Sequence, residues 1–411
     1  MADEPQRRRL PRWKKLLFTI LVLVPAVFVL ELVLGLCGYC PAVPEPAIVA
    51  KGVRGRPPHA FRYFAVSDRR LGFRNRPLGK FRSPYIVGNP LSTTDRYGYR
   101  NGVGWSAEGS RPIVLFVGDS ITFCSEVDDD ETGPSEVAKR LGKEFSVRVL
   151  NAGVRGYNTL QAKRMLEECL ERFDGIQVAV YTYCGNDLEG NMVANLYFPA
   201  LAPVVVRDEG GDGFREVEVT EPAVAWGESF INFEFPSVVR ERMNREPGFG
   251  TPVEKWLDTH SAMWHHSRLA LGRAFPERVG EPVLPGGSVK VSPSEYAHWH
   301  QWAREHGGSE FLRWILGEML QLCRDHGVEF LATAYHTTAH QEAAIEFAAD
   351  CAAQGIPFVS LAEFFPGDPS LYTCRQVDGR QDAHFGTLGT QRYAAGLVPT
   401  LTRILPARGI R

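Results

Sequence analysis

Residues 113–120 read Ile-Val-Leu-Phe-Val-Gly-Asp-Ser. Five apolar residues, three of them β-branched, run without a polar break into Gly-Asp-Ser. An uninterrupted run of this length predicts a strand buried on both faces, the pattern of a parallel sheet rather than of a half-exposed one. Such a strand delivers the Ser120 hydroxyl at its own carboxyl end, which makes Ser120 the candidate nucleophile. Taken alone, Gly-Asp-Ser is also an ordinary turn after a core strand. The rest of the chain decides between the two.

Downstream lie Asn151-Ala152-Gly153-Val154-Arg155-Gly156-Tyr157-Asn158-Thr159, then Cys184-Gly185-Asn186-Asp187, and near the end Asp382-Ala383-His384. A serine hydroxyl attacks poorly unless a base removes its proton, and the base works best when a third group holds its tautomer. His384 supplies the base and Asp382 the orienter. The ordered blocks resemble the SGNH (GDSL-type) hydrolase family of serine esterases, lipases and carbohydrate deacetylases, closely over 113–188 and more loosely over 380–396. The resemblance implies a Ser120-His384-Asp382 triad. It also implies an oxyanion hole made by the backbone N–H groups of Ser120 and Gly156 and the side-chain amide of Asn186. Glycine suits a donor that must approach a ligand closely, and a neutral NH₂ suits an oxyanion.

The commoner family spacing puts the acid three residues before the histidine, where this chain has Gln381. Asp382 reaches the imidazole if residues 382–384 turn tightly; Asp378 is the next candidate and Gln381 the last, since it offers no charge. Asp119 is expected to bond backbone within its own turn. The chain has no G-x-S-x-G around Ser120, because Ile121 and Thr122 fill the last two positions, which argues against an α/β-hydrolase elbow. Asp258-Thr259-His260, His265-His266 and His298-Trp299-His300 lack acids or cysteines at metal spacing and read as surface or packing residues. No metal and no cofactor is expected.

At 411 residues, 44% hydrophobic and 23% charged, the chain carries a sizeable core. A net charge of −2 and a pI near 6.6 argue against nucleic-acid partners. Eight cysteines at irregular spacing define no disulfide framework, and Cys124 and Cys184 read as small core residues.

From 113 onward, strands near 113–118, 146–150, 176–183, 328–334 and 357–361 alternate with helices near 131–142, 158–172, 311–325, 339–354 and 387–405. This rhythm predicts a three-layer α/β/α domain with a parallel sheet, which the resemblance refines to a flavodoxin-like SGNH fold over residues 111–405. An insertion at about 189–308 leaves the carboxyl end of the third strand, where long loops shape substrate sites. The resemblance implies hydrolysis of a small-molecule or glycan ester, of the esterase or O-deacetylase type. O-acyl transfer to a sugar hydroxyl would use the same acyl-enzyme, and a catalytically silent domain that binds glycan or protein is the reading from another class.

Before the domain, Arg7, Arg8, Arg9, Arg12, Lys14 and Lys15 precede an apolar run at 16–36. A run of ~20 such residues spans a bilayer core, and the cations hold residues 1–15 in the cytoplasm. One transmembrane helix is therefore expected, with everything after Cys40 extracytoplasmic. A cleaved signal peptide is the alternative, although its apolar region is usually ~7–15 residues with a small-residue exit. Residues 37–110 lack sustained periodicity and read as a juxtamembrane linker and irregular lead-in, in which Asp95-Arg96-Tyr97-Gly98-Tyr99-Arg100 resembles a segment of membrane-anchored relatives. In oriented vesicles, protease on the extracytoplasmic face should digest the chain beyond Cys40 and spare the N-terminal tail, as read by an N-terminal tag; protection of the domain would overturn this topology.

Overall fold

The computed structural model describes residues 65–192 apart from 69, 84 and 85, then 204–207, 214–217, 301–335 apart from 302 and 306, 341–410 apart from 378 and 380, and scattered positions between 14 and 33. The chain divides into two units, residues 1–41 with 250–282, and residues 42–249 with 283–411. In the first unit, the described positions of the 16–36 run are helical and expose Leu21, Val22, Leu23, Val27, Val29, Leu30 and Val33. The other positions of that run lie outside the described residues. Among those described, no helix is long and apolar enough to cross a membrane.

The second unit opens with more order than the sequence of 37–110 suggests. Strands β1 (Ala65–Asp68) and β2 (Gly72–Asn75) form one antiparallel hairpin, and β3 (Lys80–Arg82) and β4 (Leu91–Thr93) form another. Strands of three or four residues are too short to show an alternating pattern, which is why periodicity missed them. Both hairpins lead to Arg100, whose side chain is fully buried. Its guanidinium donates to Asp129 Oδ1 at 2.7 Å and to the carbonyls of Phe123, Cys124 and Val127 at 3.3, 3.2 and 2.9 Å. A planar fork of N–H donors suits such a ring of oxygens, and the buried charge has its counter-ion in Asp129.

The five-stranded sheet follows. Strand β5 (Ile113–Gly118) runs into the short helix α1 (Ser120–Phe123), then α2 (Gly133–Leu141), β6 (Arg148–Asn151), α3 (Thr159–Arg172), β7 (Ile176–Tyr183) and α4 (Asn186–Met192). A hairpin of β8 (Val204–Arg207) and β9 (Phe214–Val217) lies within the insertion, and Phe214 packs on Phe311 and Trp314. The chain continues through α5 (Gly308–Asp325), β10 (Glu329–Ala334), α6 (Gln341–Ala353) and β11 (Phe358–Val359). It closes with the hairpin β12 (Thr373–Arg375) and β13 (Gln381–Phe385), and with α7 (Thr387–Ala407).

All pairings in the sheet are parallel, in the order β11-β10-β7-β5-β6. Counted along the chain this is 2-1-3-4-5, the flavodoxin-like doubly wound order, whose switch point lies between β5 and β7. Side chains alternate across the sheet as a period of two requires. Ile113, Leu115 and Val117 join the layer of α3, α5 and α6, whereas Val114 and Phe116 join that of α2 and α7. Burying each such side chain contributes about 1.5–3 kcal/mol, so β5 anchors both layers at once. The sheet and its helices match the expected rhythm to within a few residues. Helix starts follow their caps: Thr132 accepts from the backbone N–H of Ser135, and Asn158 with Gln161 forms a reciprocal capping box on α3.

Arg100→Ala should lower the unfolding free energy by about 3–5 kcal/mol in urea titrations, because it strands buried carbonyls and Asp129. Arg100→Lys should recover only part, since an ammonium cannot serve the same fork. A loss below about 1 kcal/mol for Arg100→Ala would remove this residue from the list of structural keystones.

Candidate active site

Three carboxyl ends meet at the switch point. Ser120 begins α1 directly after β5, the Gly153–Asn158 loop follows β6, and Asn186 begins α4 after β7. The reversal at β5 needs Gly118, which has φ +153° and where a Cβ would lie 2.4 Å from Thr122 Oγ1 and 2.9 Å from the Thr182 carbonyl oxygen. The β6 loop is tied to this turn: Val154 N–H donates to the Gly118 carbonyl at 3.1 Å and Asn151 Nδ2 to the Thr122 carbonyl at 2.9 Å.

Ser120 Oγ lies 2.9 Å from His384 Nε2, although the two residues are 264 positions apart. His384 Nδ1 lies 2.6 Å from Asp382 Oδ1, and the same oxygen accepts the backbone N–H of His384 at 3.0 Å. Gln376 Nε2 donates to the other oxygen, Asp382 Oδ2, at 2.9 Å. The expected tight turn at 382–384 is absent. Both residues sit in the extended strand β13, where i and i+2 project to the same face and so stand side by side. Gln381 projects to the other side and donates to Thr373 and Ser370. Asp378 lies outside the described residues, as do His260, His265, His266, His298 and His300.

Asp119 behaves as its turn predicts, with Oδ1 accepting the Ile121 N–H at 2.9 Å. In addition its Oδ2 lies 3.3 Å from Ser120 Oγ. Gly156 has φ +77°, a left-handed conformation that glycine adopts without steric cost. In the Gly-Asn-Asp turn the two polar side chains divide. Asp187 Oδ2 accepts from the Tyr181 hydroxyl at 2.7 Å and from the Cys184 N–H at 3.2 Å, which serves the fold. The side-chain carbonyl of Asn186 is buried with no hydrogen-bond partner among the described residues, so no bond of the fold itself consumes it. Six described cysteines, Cys124 and Cys184 among them, are buried and form no disulfide with one another. No cluster of potential metal ligands occurs among the described residues.

Two charged residues near the imidazole escaped the sequence reading. Glu126 Oε1 lies 3.9 Å from His384 Nδ1, and Arg155 lies 3.9 Å from the same oxygen. Glu126 opens the acidic stretch 126–131, which by composition looks like a solvated loop, and Arg155 stands inside the Val154-Arg155-Gly156 block. Burial disfavours charge on His384, but Glu126 and Asp382 outweigh it and push the imidazole up to about 9. Asp382 is held well below the usual carboxylate range, since its hydrogen bonds and the adjacent imidazolium overcome its burial. Burial lifts Asp119 to about 6. The neighbouring carboxylates thus favour the protonated imidazole, whose Nε2 would donate to Ser120 Oγ while Oγ–H faces Asp119 Oδ2. As the imidazole deprotonates, Oγ–H turns to Nε2.

No family model matches the sequence, and no curated protein matches it. Among solved structures the chain is similar to TesA at 14% identity with a TM-score of 0.35, covering 71% of this chain and 99% of that one. It is also similar to AlinE4, an SGNH-hydrolase family esterase, at 13% identity with a TM-score of 0.31, covering 73% and 99%. These are coarse likenesses.

The ion pair leaves a mark on stability. His384 has a folded pKa above its ordinary 6.5, so its contribution is complete below about 6.5 and is lost as pH rises through about 9. Urea unfolding free energy should therefore fall by up to about 3 kcal/mol between pH 6.5 and pH 10, and His384→Asn should flatten that slope. An unchanged slope in the variant would show that another group carries it.

Proposed function

We propose that the chain is a serine ester hydrolase of the SGNH type. The observation that carries this reading is the unbroken hydrogen-bond series from Ser120 Oγ through His384 to Asp382, at 2.9 and 2.6 Å. A hydroxyl, an imidazole and a carboxylate in that order are what nucleophilic acyl chemistry requires. Neutral His384 takes the proton from Ser120 as Oγ bonds to the ester carbonyl carbon, and the C=O electrons move onto oxygen. The backbone N–H groups of Ser120 and Gly156 and the Asn186 amide are the donors proposed for that oxyanion, each typically worth ~3 kcal/mol of barrier. Collapse breaks the C–O bond to the alcohol, which leaves with the proton from Nε2. Water then repeats the sequence on the acyl-enzyme and returns free Ser120 and a carboxylic acid.

Asp382 keeps the imidazole in the tautomer with Nε2 facing the serine and stabilises the imidazolium by charge. The oxyanion donors rest on position at the carboxyl ends of β5, β6 and β7 and on family resemblance. The basic N-terminal tail and the apolar run behind it support an extracytoplasmic, membrane-tethered setting, with a glycan or small-molecule ester as the substrate class.

Incubation with p-nitrophenyl acetate tests the reading. Turnover should be lost on Ser120→Ala with a melting temperature close to wild type, and a serine-reactive phosphonate should label Ser120. Asp382→Asn should reduce kcat by on the order of 10⁴ if its role is to set the tautomer. Labelling of a different serine, or full turnover in Ser120→Ala, would overturn the assignment.

A further inference from the structure

The imidazole of His384 has two carboxylates on its Nδ1 side, and the triad accounts for only one of them. Glu126 is almost wholly buried, with 1% of its side chain exposed, and its Oε1 lies 3.9 Å from Nδ1. Its hold on that place is firm. The loop 124–128 leaves α1 through Cys124 at φ +56°. Its backbone is gripped by Arg100 at the carbonyls of Phe123, Cys124 and Val127, and by the Ser83 hydroxyl at the Ser125 carbonyl at 2.9 Å. Within the loop the Ser125 hydroxyl donates to Glu126 Oε1 at 2.5 Å.

A fold seldom buries a carboxylate without satisfying it. Here Oε2 has no hydrogen-bond partner among the described residues. Arg155, at 3.9 Å from Oε1, lies beyond hydrogen-bond length. Glu126 thus stands 3.9 Å from both Arg155 and His384 Nδ1, so its ion pair with Arg155 does not take it away from the imidazole, and its second oxygen is bonded to neither.

We propose that Glu126 is a positioning residue of the site, a second carboxylate that shares His384 with Asp382 and stabilises the imidazolium formed when the Ser120 proton moves to Nε2. The part concerning proton transfer rests on the serine hydrolase reading; the coupling of Glu126 to His384 does not. The other charged or titratable groups around the ring are Asp119 beside Ser120, Arg155 on the β6 loop, Cys374 on the strand paired with β13, and Tyr335, whose hydroxyl donates to the Ala383 carbonyl. Arg155 opposes Glu126 and the acids reinforce it. The carboxylates outweigh the cation, so the ring holds its proton into the alkaline range.

The test is an NMR titration of the imidazole nitrogens of the full chain, with His384 assigned by loss of its signal in His384→Gln. Glu126→Gln keeps shape and the acceptor for Ser125 but removes the charge, so the His384 midpoint should fall by about one unit or more, the size expected of an opposite charge within ~4–6 Å. The rising limb of kcat/KM against pH should move down with it, and Glu126→Asp should restore part of the shift. Should Glu126→Gln fail to fold, Asp382→Asn decides: Glu126 alone should still hold the midpoint above the ordinary 6.5. A midpoint in Glu126→Gln within about 0.3 unit of wild type, or one in Asp382→Asn at or below 6.5, would overturn the proposal. Midpoints that shift as stated in a protein that hydrolyses no ester would uphold the coupling and sink the hydrolase reading alone.

Discussion

The whole site depends on how one aromatic residue, Phe385, is seated. Its ring stacks on Phe365 at 5.4 Å and meets Tyr335 edge-on at 4.7 Å and Tyr393 at 5.8 Å. Those partners come from the end of β10, the segment before β12, and α7, so Phe385 binds the β12–β13 hairpin to the sheet at three places. The hairpin needs such an anchor because it has no ladder to the main sheet. A pair of short strands alone is marginal in water, whereas an apolar side chain in a full aromatic cluster contributes a few kcal/mol. His384 is the next residue in the strand. Its distance to Ser120 is consequently set by packing behind it, and the bond from the Tyr335 hydroxyl to the Ala383 carbonyl adds a polar tie from the same cluster.

Around that anchor, burial and charge act against each other, and the magnitudes show which prevails. Two unit charges 4 Å apart interact by about 4 kcal/mol at the effective dielectric typical of partly buried sites. Burial is the largest single effect opposing charge on His384, although a quarter of its side chain remains exposed. Asp382 at hydrogen-bond distance and Glu126 one shell further out together outweigh it and push the imidazole up to about 9. The same arithmetic runs the other way for Asp119. Its carboxylate is buried to 1%, against 14% for the Asp382 side chain, so burial dominates and lifts it to about 6. Two aspartates within one site are thereby separated by environment. One is a permanent anion that suits an orienter, the other titrates close to neutrality beside the serine.

The sheet was legible in the sequence because its strands are buried on both faces, so their apolar runs need no phase to be recognised. The helices were legible for the opposite reason, since they present one apolar face, and two of them begin at the caps Asn158 and Thr132. Ser120 and His384 could be read because acyl chemistry calls for a hydroxyl and an imidazole, and these stand in blocks at the end of a core strand and late in the chain. The lead-in hairpins were not legible. Their strands are too short to alternate, and Arg100 looks in sequence like any other arginine until its carbonyl partners are assembled from residues 123–127. Glu126 was hidden similarly, since burial of an acid inside an acidic run leaves no local trace. The residues between 218 and 300 lie outside the described structure.

The spacing of acid and base follows from the backbone that carries them. In an extended strand, even offsets share a face and odd offsets oppose it. An acid two residues before the histidine stands beside the imidazole, and one oxygen of Asp382 can then take both the ring N–H and the backbone N–H of His384. An acid three residues before would face the other way, where Gln381 now bridges to the neighbouring strand at Thr373. The two-residue spacing is thus the one that an extended strand allows. Once the segment pairs with β12, the carboxylate that can reach the imidazole is the one at 382, and position 381 faces the hairpin. Glutamine there is a consequence of the strand, because a side chain with two N–H donors can satisfy the exposed carbonyls of Ser370 and Thr373, which a carboxylate would repel.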